Sequence, residues 1–264
     1  MLGEWLSAQD VQQPDGQVQY EALANSGQID EDDLIDQLAH EVARNYVAPG
    51  ELALVFDDLG APEVADYLRV NKFPSKIEIR HGDFGEILTG ALYRRVRRWC
   101  VPILKLRYKQ TPNQAVQGTD VLAFRFRQQP PVVAVPEVKT RATRDPRVAK
   151  GAYESLEKVL GRLDESIAFA MARCNDRGQA FLAKRLASLL AKPENRAVER
   201  HMLFVHDARA WKEDIVTLLS DLVTEPTSLT VVKIEELQEF IARVYTAAEV
   251  ATSRDRTGVR GGAE

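Results

Sequence analysis

Glu137 and Lys139 stand two residues apart in the run Val132-Val133-Ala134-Val135-Pro136-Glu137-Val138-Lys139-Thr140. On a strand this spacing sends both side chains to one face and Val138 to the other. Asp120, 17 residues before Glu137, follows Gly118-Thr119 and leads into Val121 to Phe126, which also reads as a strand. The link Arg127-Gln128-Gln129-Pro130-Pro131 is short enough to make the two runs an antiparallel hairpin. The start of one strand then lies beside the end of the next, and Asp120 can meet Glu137. Two carboxylates aimed at one point repel and shift each other's pKa unless a cation joins them. A hard divalent ion with oxygen ligands suits them, and Mg²⁺ fits best where a phosphate supplies further ligands, with Mn²⁺ as a substitute. Such an ion acidifies a bound water and neutralises charge on a phosphate under attack. The ammonium of Lys139 would hold that water or the developing charge.

Hydrophobic periodicity supplies the elements that must position these residues. Residues 1–29 are rich in Gln, Gly, Asp and Ser and predict little regular structure until late in that stretch. Asp30-Glu31-Asp32-Asp33 opens an amphipathic helix carrying Leu34, Ile35, Leu38, Val42 and Tyr46, and a short helix follows around Ala61 to Arg69. A further helix starts within Arg80 to Glu86 and runs to Trp99. Pro102 to Tyr108 alternates with period two and predicts a strand with Lys105 and Arg107 opposite Leu104, Leu106 and Tyr108. After the hairpin, one long helix is expected from Ala149 to Cys174, then a helix from Gln179 to Leu190. A strand His201 to Val205, a helix Ala208 to Leu222, a strand Leu229 to Ile234 and a helix Glu235 to Tyr245 complete the pattern. The fold class is α/β, a three-stranded meander extended by helix-linked strands into one mixed sheet with helices on both faces. The expected division is an acidic, mainly helical region over 1–75, a catalytic domain over 76–248 and a disordered tail over 249–264.

The chain has 264 residues, 45% hydrophobic and 28% charged, as an ordinary soluble protein does. It shows neither a membrane-spanning run nor the basic and apolar regions of a signal peptide, so a cytoplasmic location is expected. Cys100 and Cys174 lack metal-site spacing and are expected to be reduced core residues. The net charge of −4 conceals an asymmetry: residues 76–150 hold sixteen basic and six acidic side chains, a net of +10, which leaves −14 for the rest. A cationic middle suits a polyanion such as DNA, although a solvated charged surface has the same composition. Arg94, Arg95, Arg97 and Arg98 either grip a phosphate backbone or form the wet face of a helix. The scattered histidines 40, 81, 201 and 206 suggest no ligand set. No P-loop or helicase motif is present.

Asp120 with Glu137-x-Lys139, preceded by a helix bearing Glu86, resembles the PD-(D/E)xK nuclease superfamily. The blocks Gly82-Asp83-Phe84-Gly85-Glu86 and Gly118-Thr119-Asp120-Val121 make the chain most similar to the nuclease subunits of Hachiman antiphage defence systems. The resemblance implies a restriction-endonuclease-like fold, a metal-dependent DNA endonuclease of little sequence specificity, and a helicase partner, with the acidic N-terminal region as a candidate docking surface. Asp120 and Glu137 would be metal ligands with the Val138 carbonyl as a third, Lys139 the catalytic lysine, and Glu86 an assistant through a water or second ion. The superfamily's Pro-Asp pair is absent, since Thr119 precedes Asp120. Two alternatives stand beside this reading. Asp83 and Glu86 have the spacing of a capping box, which would explain Glu86 by helix capping alone. The other is a non-catalytic DNA-binding or scaffolding subunit, against which the intact Asp120, Glu137 and Lys139 argue, because an inert relative need not retain all three.

Overall fold

Six consecutive residues, His201 to His206, are buried, so their strand must be covered on both faces. The computed structural model, which describes residues 2–47, 56, 58–114 and 118–254, places that strand inside a six-stranded mixed sheet. In chain order the strands are β1 (Leu6–Gln9), β2 (Val18–Asn25), β3 (Ala123–Arg125), β4 (Val132–Arg141), β5 (Ala197–Asp207) and β6 (Thr227–Ile234). Their spatial order is β1-β2-β6-β5-β4-β3, with the four inner strands parallel and an antiparallel strand at each edge. Among the described residues no helix is long and apolar enough to cross a membrane.

Helices cover both faces. The described ones are α1 (Leu2–Trp5), α2 (Glu31–Tyr46), α3 (Pro62–Val70), α4 (Ile77–Ala91), α5 (Arg147–Leu160), α6 (Leu163–Asp176), α7 (Ala180–Ala191), α8 (Asp214–Leu222) and α9 (Leu237–Arg254). On one face Val133, Val135, Met202, Phe204 and Val231 pack against Leu156 of α5, Ile167 of α6, Leu186 of α7 and Ile215 of α8. On the other, Val138, Leu203, Val205 and Val232 meet Leu38 of α2, Phe84 and Leu88 of α4 and Ile241 of α9. The alternation of β4 thus assigns Val138 to the α4 side and Glu137 and Lys139 to the α5 side.

Several expectations need correction. The first residues are not irregular: Leu2–Trp5 form α1 and Leu6–Gln9 form β1, which pairs with β2, and β2 in turn alternates Val18, Tyr20 and Ala22 inward and pairs with β6. The long helix is two helices. Gly161, a poor helix former, caps α5, and Arg162 at φ −121° turns the chain, while Leu156, Leu163 and Ile167 keep burying into one core and so continue the apolar stripe across the break. The expected strand at Pro102 to Tyr108 is a 3₁₀ turn at Lys105–Tyr108, and the meander is therefore only the β3–β4 pair. Residues 118–122 precede β3 without belonging to it. The helix bearing Glu86 starts at Ile77 and passes at Leu92–Val96 into a π turn that stops short of Trp99. The helix expected from Ala208 begins at Asp214, because the Asp207 carboxylate first accepts the N–H groups of Arg209 and Ala210 in a turn. The helix α9 extends to Arg254, past the expected start of the tail, and residues 255–264 lie outside the described residues.

Candidate active site

The helix α4 crosses β4 with no room for a side chain at the crossing. A Cβ on Gly85 would sit 2.2 Å from Thr140 Oγ1 and 2.9 Å from Val138 Cγ1. Only glycine allows this approach, and it brings the next residue, Glu86, to the outer edge of β4. That edge is open at the right place, because β3 pairs only with Val132, Val133 and Ala134. Beyond β3 the chain is held differently: Asp120 Oδ2 accepts the Val138 backbone N–H at 2.9 Å. Gly118, at φ +100°, makes the turn that delivers Asp120, and Thr119 Oγ1 is hydrogen-bonded to Ser166 on α6 at 2.6 Å. Since the N–H and C=O of one strand residue leave the same side, the Val138 carbonyl faces this edge too.

From the other face of β4, Glu137 is buried and accepts a hydrogen bond from Lys139 Nζ, which also lies 3.4 Å from Ser155 Oγ on α5. Four sequence-derived residues, Glu86, Asp120, Glu137 and Lys139, are thereby gathered around one edge of β4, with the Val138 backbone between them. Glu86, Asp120 and Glu137 line a cavity of about 650 Å³.

A fifth residue was not anticipated. Lys105, buried in the 3₁₀ turn, places Nζ 3.2 Å from Glu86 Oε2 and 3.6 Å from Asp120 Oδ1. The period-two reading had turned it away from Leu104 and Leu106. Leu104 is the extended residue before the turn, and inside it neighbours point apart by about 120°, so strict alternation is lost and all three are buried. A lysine between two leucines was the one available sign.

The capping-box explanation of Glu86 does not hold, because α4 starts at Ile77 and Asp83 lies inside it. Asp83 is buried and accepts hydrogen bonds from Tyr46 Oη and Lys109 Nζ. This fastens the segment after the 3₁₀ turn to α4, one turn before Glu86.

The electrostatics follow from burial and crowding. Burial pushes the Glu86 carboxyl up to about 8, the neighbouring Asp120 and Asp83 add to it, and Lys105 only partly offsets them. Burial and Asp120 also raise Glu137, against the pull of Lys139. Lys105 is held above the ordinary lysine value, because Glu86 and Asp120 outweigh the burial that favours its neutral form.

Among the described residues no three metal-ligating side chains form a ready set. Lys105 supplies the cation between two of the carboxylates instead. The donor chemistry nonetheless fits a hard divalent ion: every donor is oxygen, and Glu86 Oε2 is buried without a hydrogen-bond partner, an acceptor that 3.2 Å of ion pairing leaves incompletely satisfied.

The remaining basic residues are largely spoken for. Arg94 and Arg95 both bind the buried Glu41, and Arg97 binds Glu21 and Thr230 at 2.7 and 2.8 Å. Arg80 meets Glu249 and Arg144 meets Asp214. Much of the cationic middle is therefore paired with the acidic remainder, and Arg94, Arg95 and Arg97 each hold a carboxylate of another element. His201 is buried against Tyr93 and Thr230, and both cysteines are free.

The fold is thus a mixed α/β sheet flanked by helices, with a lysine-and-carboxylate site on the part of β4 that β3 leaves unpaired. The HamA family matches residues 1–248, and the chain belongs to that family, which places it in the Hachiman antiphage defence system. Comparison with the curated proteins gave no match.

Proposed function

We propose that this chain is a divalent-cation-dependent DNA endonuclease of PD-(D/E)xK type, with a restriction-endonuclease-like core and little sequence specificity, acting in antiphage defence beside a helicase partner. The observation that carries the reading is the convergence of Glu86, Asp120, Glu137 and Lys139 on one edge of β4, beside an open cavity. Asp120, Glu137 and the Val138 carbonyl would hold Mg²⁺, with Glu86 assisting. The bound ion would supply an acidified water and charge neutralisation on the phosphate.

The chain's own residues do the rest. Asp120 is fixed by the Val138 N–H, so its second oxygen is presented at a set position. Lys139 Nζ, held between Glu137 and Ser155, is placed to orient the attacking water and to offset negative charge as the P–O bond to water forms and the P–O bond to the leaving oxygen breaks. Lys105 must give up part of its contact with Glu86 and Asp120 when a cation enters. The sequence carries no P-loop motif, and energy-driven unwinding would belong to the partner. A phage-plating assay tests the reading: in cells carrying the complete system, Glu137→Ala with Lys139→Ala should abolish protection, and full protection by the double variant would refute it.

One observation favours a second reading. Lys105 and Lys139 neutralise the carboxylates internally, as an inert relative retained for DNA binding or scaffolding would require. On that reading DNA affinity is independent of Mg²⁺ and the double variant protects as well as the parent.

A further inference from the structure

The cavity beside the carboxylates has a lining of two chemical kinds. Glu86, Lys105, Asp120 and Glu137 share it with the apolar Ile103, Leu122 and Val159 and the aromatic pair Tyr108 and Phe169. Those rings meet edge to face, with centroids 5.8 Å apart at 82°, and Phe169 is 40% exposed although it is large and apolar. Charged groups surround the rings. The Arg173 guanidinium lies over both at 5.6 Å from each centroid, that of Arg177 lies over Tyr108 at 5.6 Å, and Lys158 and the ion pair Arg162–Glu165 line the same cavity. Arg173 also pairs with Asp176 at 3.0 Å, which keeps its guanidinium near the rings.

A ligand that fills this cavity must match its aromatic surface and, joined to that, an anion that suits the lysines. A base pair inside a duplex cannot meet this demand, because its π-faces are stacked on neighbouring pairs. An unpaired nucleotide offers both parts at once, a free π-face and an attached phosphate. The volume, about 650 Å³, is in the range of sites that enclose a small organic group.

We propose that Phe169 and Tyr108 form a stacking platform for an unpaired base adjoining the phosphate to be cut, so that the substrate is single-stranded DNA or the frayed strand of an opened end and not intact duplex. This rests on the nuclease reading and narrows its substrate. It also gives the site a natural place downstream of strand separation, since a reaction that unpairs DNA must supply such a strand.

The test is fluorescence anisotropy with the full chain in Ca²⁺, using a labelled oligothymidylate and a blunt duplex of the same length. The single strand should bind at least about tenfold more tightly than the duplex, and Phe169→Ala should weaken single-strand binding by roughly 5- to 150-fold, the range of one lost base–aromatic stack. Phe169→Trp should keep the affinity, which separates loss of stacking from loss of folding. Duplex binding as tight as single-strand binding, or an unchanged affinity in Phe169→Ala, overturns the proposal. Failure of the nuclease reading looks different: in Mg²⁺ no hydrolysis occurs, whatever the strand preference.

Discussion

Lys105 Nζ lies 3.2 Å from Glu86 Oε2, and both side chains are largely withdrawn from water at the wall of the cavity. The pair joins two segments that the sequence keeps apart, a 3₁₀ turn and the middle of α4. It also sets the electrostatic state of the site, because Asp120 shares the same ammonium at 3.6 Å.

Removing that ammonium leaves carboxylates facing each other in a buried place. Lys105→Met should destabilise the protein in EDTA by about 3 kcal/mol, as expected when one member of a buried ion pair is lost. The same variant should gain more thermal stability than the parent on adding Mg²⁺, since the ion then replaces the missing charge. Equal Mg²⁺ responses in both proteins, read by differential scanning calorimetry, would show that Lys105 does not occupy the position of a cation.

The raised carboxyl of Glu86 fixes the sign of a pH effect. Its folded value of about 8 stands above the ordinary 4.5, so the metal-free fold favours the protonated form. The resulting stability is complete below 4.5 and declines as pH rises toward about 8. Urea midpoints in EDTA should therefore fall across that interval, and Glu86→Gln should flatten the fall, leaving the contributions of the raised Glu137 and Asp83. A divalent ion, which requires the ionised carboxylates, should bind more tightly as pH rises through the same range. Midpoints that rise with pH would contradict this assignment.

Gly85 sets the distance between α4 and β4. Gly85→Ala must move Thr140 Oγ1 or the helix, since 2.2 Å is far below any real contact. The expected cost is about 1–3 kcal/mol, the usual range for overpacking, with a further loss of activity because Glu86 is displaced with the helix. A denaturation curve matching the parent's would show that the crossing is looser than the structure indicates.

Asp83 and Lys109 hold the turn that carries Lys105. Lys109→Met should destabilise by about 3 kcal/mol and leave Asp83 without its buried cation. Hydrogen exchange should then rise at Leu104 to Tyr108 more than in the sheet. Unchanged exchange there would mean that the turn is held by other contacts.

The parts of the site that were legible in the sequence are those fixed by strand spacing. Glu137 and Lys139 share a face because the period of a strand is two, and Asp120 reaches them because the hairpin link is short. Lys105 was hidden because a 3₁₀ turn between buried leucines imitates alternation over so few residues. Glu86 was ambiguous for a related reason: Asp83 at three residues' distance imitates a cap until the true helix start at Ile77 is known. In the fold, β2 carries the inward pattern Val18, Tyr20, Ala22, but alanine is a weak signal and the surrounding glutamines and glycines read as loop. The break at Gly161 left no gap in hydrophobic period, since α5 and α6 bury against the same core.

The most direct measurement is cleavage of circular single-stranded DNA and of plasmid by the purified chain, alone and with the proposed helicase partner, in Mg²⁺ and in EDTA, comparing the parent with Glu137→Ala/Lys139→Ala. The account predicts cleavage of the single strand that requires Mg²⁺ and vanishes in the double variant. Absence of cleavage in every condition, together with a double variant that still protects cells from phage, would contradict it.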